Sequence, residues 1–107
     1  MDNRSAPRVS IGKRAWCEGE RITLYLQIVN ASTGGLFLRT ATPLPKGEHA
    51  RVIFRLDDET EIVAEAEVVW TGPGPSSVPG MGLRLVQIEA GADAYESFLS
   101  HVRRPLD

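Results

Sequence analysis

The chain has 107 residues, with 12 Lys and Arg against 14 Asp and Glu and a formal net charge of −2. That length suits one domain around one core, and the charge excludes a protein that holds long nucleic acids by bulk electrostatics, which needs a basic face. No apolar run approaches the roughly 18–20 residues of a membrane-spanning helix, and Met1-Asp-Asn-Arg4 is followed by no apolar signal segment, which makes the cytoplasm the expected compartment and excludes membrane insertion.

In chain order, Ile22, Leu24, Leu26 and Ile28 alternate with Thr23, Tyr25 and Gln27, the period-two pattern of a strand with one buried face. Ser32 to Gly35 reads as a turn, with Thr33-Gly-Gly35 supplying backbone freedom, and Leu36-Phe-Leu-Arg-Thr40 as the hairpin partner. Pro43, Pro45 and Gly47 mark a loop. Ala50 to Leu56 alternates again, with Val52, Phe54 and Leu56 inward, and Asp57-Asp58 turns the chain. The return strand, Glu61 to Trp70, sets Ile62, Ala64, Ala66, Val68 and Trp70 on one face and Glu61, Glu65 and Glu67 on the other. Thr71 to Gly80 is rich in Pro, Gly and Ser and reads as a mobile surface loop, and Gly82 to Ile88 as the last strand. From Ala90 the period changes: Ala92, Tyr95, Phe98, Leu99 and Val102 recur at helical spacing, with Asp93 in the first turn, Arg103 and Arg104 in the last, and Pro105 as the stop. Five or six short antiparallel strands and a closing helix predict an all-β fold, a small barrel with the helix over one end or flank.

Catalytic chemistry finds little support. His49 and His101 belong to no triad or metal-spacing pattern, so neither catalytic nor metal-binding residues are expected. Cys17, the single cysteine, can form no internal disulfide, and beside Trp16 it reads as a half-buried core residue. The carboxylates of the middle hairpin alternate outward, as on a solvated strand face. Basic groups gather near the N-terminus, at Arg4, Arg8, Lys13 and Arg14, while Asp57, Asp58, Glu59, Glu61, Glu65 and Glu67 make the middle acidic. This asymmetry suits one small anionic ligand at the N-terminal end better than a long polyanion, so neither DNA nor RNA is an expected partner.

Two short motifs stand at that end. Arg4-Ser-Ala-Pro-Arg8 spaces two guanidinium groups along an arm, and Asn30-Ala-Ser-Thr-Gly-Gly35 closes the first alternating strand. A guanidinium binds phosphate or the N7/O6 edge of guanine in a bidentate fork and also stacks flat on a purine. The Asn30 amide and Ser32 hydroxyl offer short hydrogen-bonding groups, and Gly34 and Gly35 permit close backbone approach. Taken singly, each motif has an ordinary structural explanation: an exposed basic tail, and a hairpin turn whose side chains cap the backbone.

In this order, and with Pro79-Gly-Met-Gly-Leu-Arg-Leu85 before a terminal helix, the residues resemble the PilZ domain, the bacterial receptor domain for cyclic diguanylate (cyclic di-GMP). The resemblance covers nearly the whole chain. It implies a six-stranded antiparallel, split-type β-barrel with a C-terminal α-helix, divided as a flexible arm over 1–8, the barrel over 9–88 and the helix over 90–104. Arg4 and Arg8 would contact guanine and phosphate, Asn30 and Ser32 a guanine edge, and Gly35 would leave room for it. Asn3, where some members carry a further arginine, leans toward one bound ligand rather than a stacked pair, and Arg39 and Arg84 are possible secondary contacts. The expected function is that of a non-enzymatic bacterial signalling receptor, without cofactor, passing its signal in trans to a downstream protein. The alternative is a PilZ-fold adaptor in motility or surface-organelle control that acts through protein contacts alone.

Overall fold

Alternating side chains need a closed interior to bury one face of every strand, and this chain supplies it by curling a single sheet upon itself. The computed structural model describes residues 8–102. Its strands are β1 (Lys13–Glu18), β2 (Thr23–Ser32), β3 (Gly35–Arg39), β4 (His49–Asp57), β5 (Thr60–Pro73) and β6 (Pro79–Ala90), and one helix, α1 (Ala92–Val102), follows. All neighbours are antiparallel, and the order β1-β2-β3-β6-β5-β4 closes into a barrel. The expected six-stranded antiparallel barrel with a C-terminal helix is the observed fold.

The interior is filled by Ala15 and Cys17 of β1, Ile28 and Ala31 of β2, Leu36 and Leu38 of β3, Val52 and Phe54 of β4, Ile62, Ala66 and Val68 of β5, and Met81 and Leu83 of β6. Alanines among branched residues suit so narrow a barrel, where four bulky side chains on one level would collide. The helix begins after Gly91, whose φ of +85° favours glycine. It lays Tyr95 and Leu99 into the core, the Tyr95 ring meeting Phe54 edge-on at 5.8 Å. Its expected last turn, with Arg103, Arg104 and Pro105, lies outside the described residues.

Four details depart from the sequence reading. Lys13–Glu18 forms a strand that its mixed composition did not reveal, and Cys17 on it is fully rather than half buried. Ile22 precedes β2 and is exposed. The β2–β3 reversal uses no positive φ at Gly34 or Gly35. Finally, β5 and β6 run on through the stretch read as a loop, pairing Thr71 with Met81, Gly72 with Gly80 and Pro73 with Pro79.

That long hairpin has a physical reason. A Cβ on Gly74 would lie 2.3 Å, and on Gly80 2.8 Å, from the nearest atom of the Phe37 ring. The glycines that resemble strand breakers instead let the hairpin lie flat on Phe37, which points outward on β3 and is only 5% exposed.

Candidate functional site

Two bulges shape the outer wall beside the Asn30–Gly35 motif. In β2 the register steps from Ile28↔Leu38 to Asn30↔Phe37, and in β5 from Val68↔Leu83 to Trp70↔Gly82. An extra residue inverts the facing of everything beyond it. Trp70 had been expected inward with Val68; the bulge turns it outward, and it is 52% exposed. Ala31 takes the inward position and leaves half-buried Asn30 on the outer surface.

Between these bulges lies a shallow groove of about 210 Å³ walled by Arg8, Asn30, Phe37, Val69, Trp70, Gly74, Pro75, Gly82 and Leu83. It sits where β2, β3, β6 and β5 run side by side. Arg8, the first described residue, is docked there: it donates from Nη1 to Asn30 Oδ1 at 2.9 Å. Val9 holds it in place through reciprocal backbone hydrogen bonds with Ala31 of 2.8 and 2.9 Å. Arg4 and Asn3 lie outside the described residues.

The other predicted residues take distinct places. Ser32 is 4% exposed; its Oγ accepts from the Gly34 N–H at 3.3 Å, and its carbonyl accepts a 2.6 Å hydrogen bond from the Tyr95 hydroxyl. Burial pushes the Tyr95 phenol well above its ordinary range, an effect the Arg8 charge partly opposes. Turn, helix and arm thus meet within one small volume. Gly35 pairs with Arg84, and a Cβ on it would stand 2.6 Å from the Leu83 carbonyl oxygen and 3.7 Å from Arg8 Nη2. Its lack of a side chain is therefore required by the close approach of β6, while the distance to Arg8 is an ordinary contact. Arg84 donates to Glu67 at 2.7 Å, and that hydrogen bond holds the Glu67 carboxyl below its usual range. Arg39 is placed elsewhere, in a groove with Arg14, Tyr25 and Gln27.

Trp70, Val69, Phe37 and Pro75 were not among the sequence candidates. Trp70 shares its parity with the inward-facing residues of β5, so no periodicity could have revealed it. Phe37 reads as one residue of an apolar run.

The arrangement offers a forked cation, an amide and a flat indole around an apolar floor, the groups that bind a planar base bearing an anionic phosphate. Among the described residues no group of His, Cys, Asp and Glu is placed to hold a metal ion. Residues 2–100 match the family described as the PilZ domain. The chain belongs to that family.

No curated protein matches this PilZ chain. Among solved structures it is similar to the Bacillus subtilis inhibitor of motility MotI/DgrA, with 24% identity and a TM-score of 0.75 over 97% of this chain and 55% of that one. It is also similar to the PilZ domain of YcgR from Escherichia coli with c-di-GMP, with 15% identity and a TM-score of 0.67 over 92% of this chain and 88% of the other. These likenesses establish the shared fold, and the PilZ chain spans about half the length of MotI/DgrA.

Proposed function

We propose that this PilZ domain is a non-enzymatic receptor for cyclic di-GMP, bound in the groove between Arg8 and Trp70. The observation that carries the reading is the Arg8–Asn30 hydrogen bond at the groove's rim, which joins the second arginine of the first motif to the first residue of the second. Arg8 would turn its remaining N–H groups to a phosphate or to the N7/O6 edge of guanine. Asn30 would read a base edge, Gly35 would leave room, and the Trp70 indole would carry a guanine face. The Ser32 hydroxyl keeps its own proton to donate while its oxygen serves the turn. Arg4 would close over the ligand from the arm, and Asn3 beside it leans toward a single bound molecule. Arg84, beside Gly35 in register, would make a secondary contact through phosphate; Arg39, in its separate groove, is the weaker candidate.

Support comes from the family itself and from a neighbour of the same fold described with c-di-GMP. With the arm ordered by ligand, the surface offered to a downstream protein changes, and the signal passes in trans in the cytoplasm. The ligand's preference for the ordered arm sets the size of that coupling. Control of motility is the process we favour, because one neighbour is described as an inhibitor of motility.

Calorimetric titration with cyclic di-GMP tests this directly. Saturable heat in the wild type, weakened in Arg8→Ala and Ser32→Ala, is the expected result. No heat at tens of micromolar ligand would sink the receptor reading and leave the protein-contact adaptor; full affinity in both variants would move the site elsewhere.

A further inference from the structure

On the far side of β2 from the groove, the outer wall breaks the rule that outward strand positions are polar. Tyr25 of β2, Trp16 of β1, Ile53 of β4 and Val63 of β5 are consecutive register partners, one row across four strands. Trp16 is 49% and Tyr25 52% exposed, their rings 4.6 Å apart and tilted by 37°. β1 and β4 are paired only from Trp16↔Ile53 to Glu18↔Arg51. Where they part, a groove of about 450 Å³ opens, lined by Lys13, Arg14, Trp16, Tyr25, Ile53 and Arg55 among others.

On the groove side of this row the charges are lopsided, while its other side carries Glu18, Arg51 and Glu65 as register neighbours. Arg51, which flanks the row beside Ile53, is paired with Glu89 at 3.3 Å, and Arg84 farther round the wall with Glu67 at 2.7 Å. Among the described residues, Arg14, Arg55 and Arg39 have no carboxylate partner. Arg14 reaches over the Tyr25 ring at 5.9 Å, Arg55 donates only to the Asp58 carbonyl, and Arg39 shares the adjoining groove with Arg14 and Tyr25. One carboxylate, Glu61, lies among the groove-lining residues. In a chain whose net charge is −2, this is a local cationic surplus on the groove side of an exposed aromatic pair.

We propose that this face is a docking surface for an acidic segment of a second protein, one that carries an apolar side chain among its carboxylates. Trp, Tyr and Arg are the residues most enriched where binding energy concentrates in protein interfaces, and an exposed apolar row rimmed by polar groups marks such a surface. The unpaired arginines select for carboxylates. They also select against a second copy of this chain, since a two-fold interface would bring the same cations face to face. Against a nucleic acid stands the net charge of −2, since binding a long polyanion needs a broadly basic face. The proposal names the partner surface for the trans signalling put forward above, and its chemistry does not depend on nucleotide binding.

Selection of random peptides displayed on phage against the purified full chain tests it, followed by titration of a synthetic copy of the enriched peptide. Enriched sequences should set Asp and Glu around one Leu, Ile, Phe or Trp, and affinity should fall about tenfold or more in Trp16→Ala and in Arg14→Glu. Val86→Ala, which removes an exposed apolar side chain elsewhere on the wall, should leave peptide binding unchanged. Cyclic di-GMP titrations on Trp16→Ala are run in parallel, so that loss of the docking surface and failure of the receptor reading are read separately. Neutral or basic enriched peptides, or equal affinity in both variants, would overturn the proposal. So would self-association abolished by Trp16→Ala, or binding of oligo-dT that Trp16→Ala abolishes.

Discussion

Arg8 donates to the side-chain amide oxygen of Asn30 at 2.9 Å, across a separation of 22 residues. The contact holds Arg8 against the barrel through an exposed charged group, and the neighbouring Val9–Ala31 backbone pair fixes where that group can reach. Removing the guanidinium should therefore cost ligand binding and little stability. Arg8→Ala is expected to weaken cyclic di-GMP binding by about tenfold to a hundredfold, as for the loss of charge-assisted hydrogen bonds, with the melting temperature nearly unchanged. Arg8→Lys should restore little, because an ammonium cannot form the planar fork. Calorimetry and a thermal melt on the same samples check both halves.

Trp70 reaches the groove only because a bulge in β5 turns it outward. Trp70→Ala should lower nucleotide affinity by about 1–3 kcal/mol, the range for one base stacked on an aromatic ring, and Trp70→Phe should recover part of it. Quenching of tryptophan fluorescence on ligand addition, present in wild type and reduced in Trp70→Phe, provides an independent reading.

Gly34 and Gly35 are neighbours with opposite constraints. A Cβ at Gly34 meets nothing within 4 Å, while one at Gly35 meets the Leu83 carbonyl oxygen at 2.6 Å. Gly35→Ala should destabilise the protein by about 1–3 kcal/mol as the β3–β6 ladder is forced apart, whereas Gly34→Ala should stay within about 0.5 kcal/mol of wild type. Urea unfolding distinguishes them; equal stabilities would remove the packing explanation for Gly35.

The Tyr95 hydroxyl ties α1 to the Ser32 carbonyl at 2.6 Å inside the core. Tyr95→Phe removes that buried hydrogen bond and should cost about 1–2 kcal/mol. Because the turn carries the second motif, the same variant should also loosen Ser32–Gly35, read as faster amide exchange at Gly34.

Cys17 is fully buried, and burial pushes its thiol up to about 11, with Glu48 and Glu18 adding to the effect. The unfolded thiol loses its proton near 9.0 while the folded one keeps it to about 11, so the native state binds more protons in that interval and stability falls as pH rises through it. Tyr95, also raised from its ordinary value of 10.0, adds a loss that begins near pH 10 and continues above it. Cys17→Ala should flatten the alkaline decline between the two thiol values, at the cost of a small cavity. The native thiol should react slowly with a disulfide reagent at neutral pH and quickly once the chain is unfolded.

Much of this molecule was determined by the sequence alone, because period-two alternation in β2, β4 and β5 and the change to helical spacing after Ala90 are local patterns that require one buried face each. The order of three short motifs pointed to the family, since their chemistry is carried by residue type. Tertiary structure decided what no local pattern encodes. The bulges near Val29 and Val69 invert facing and so choose between core and groove for Asn30 and Trp70. The β5–β6 hairpin continues through a glycine- and proline-rich stretch because Phe37 lies beneath it, a contact between elements far apart in sequence. Barrel closure sets Trp16 between Tyr25 and Ile53 and leaves Arg39 apart from Arg8. Register and closure are properties of pairs of strands, which is why they became legible only once the strands were paired.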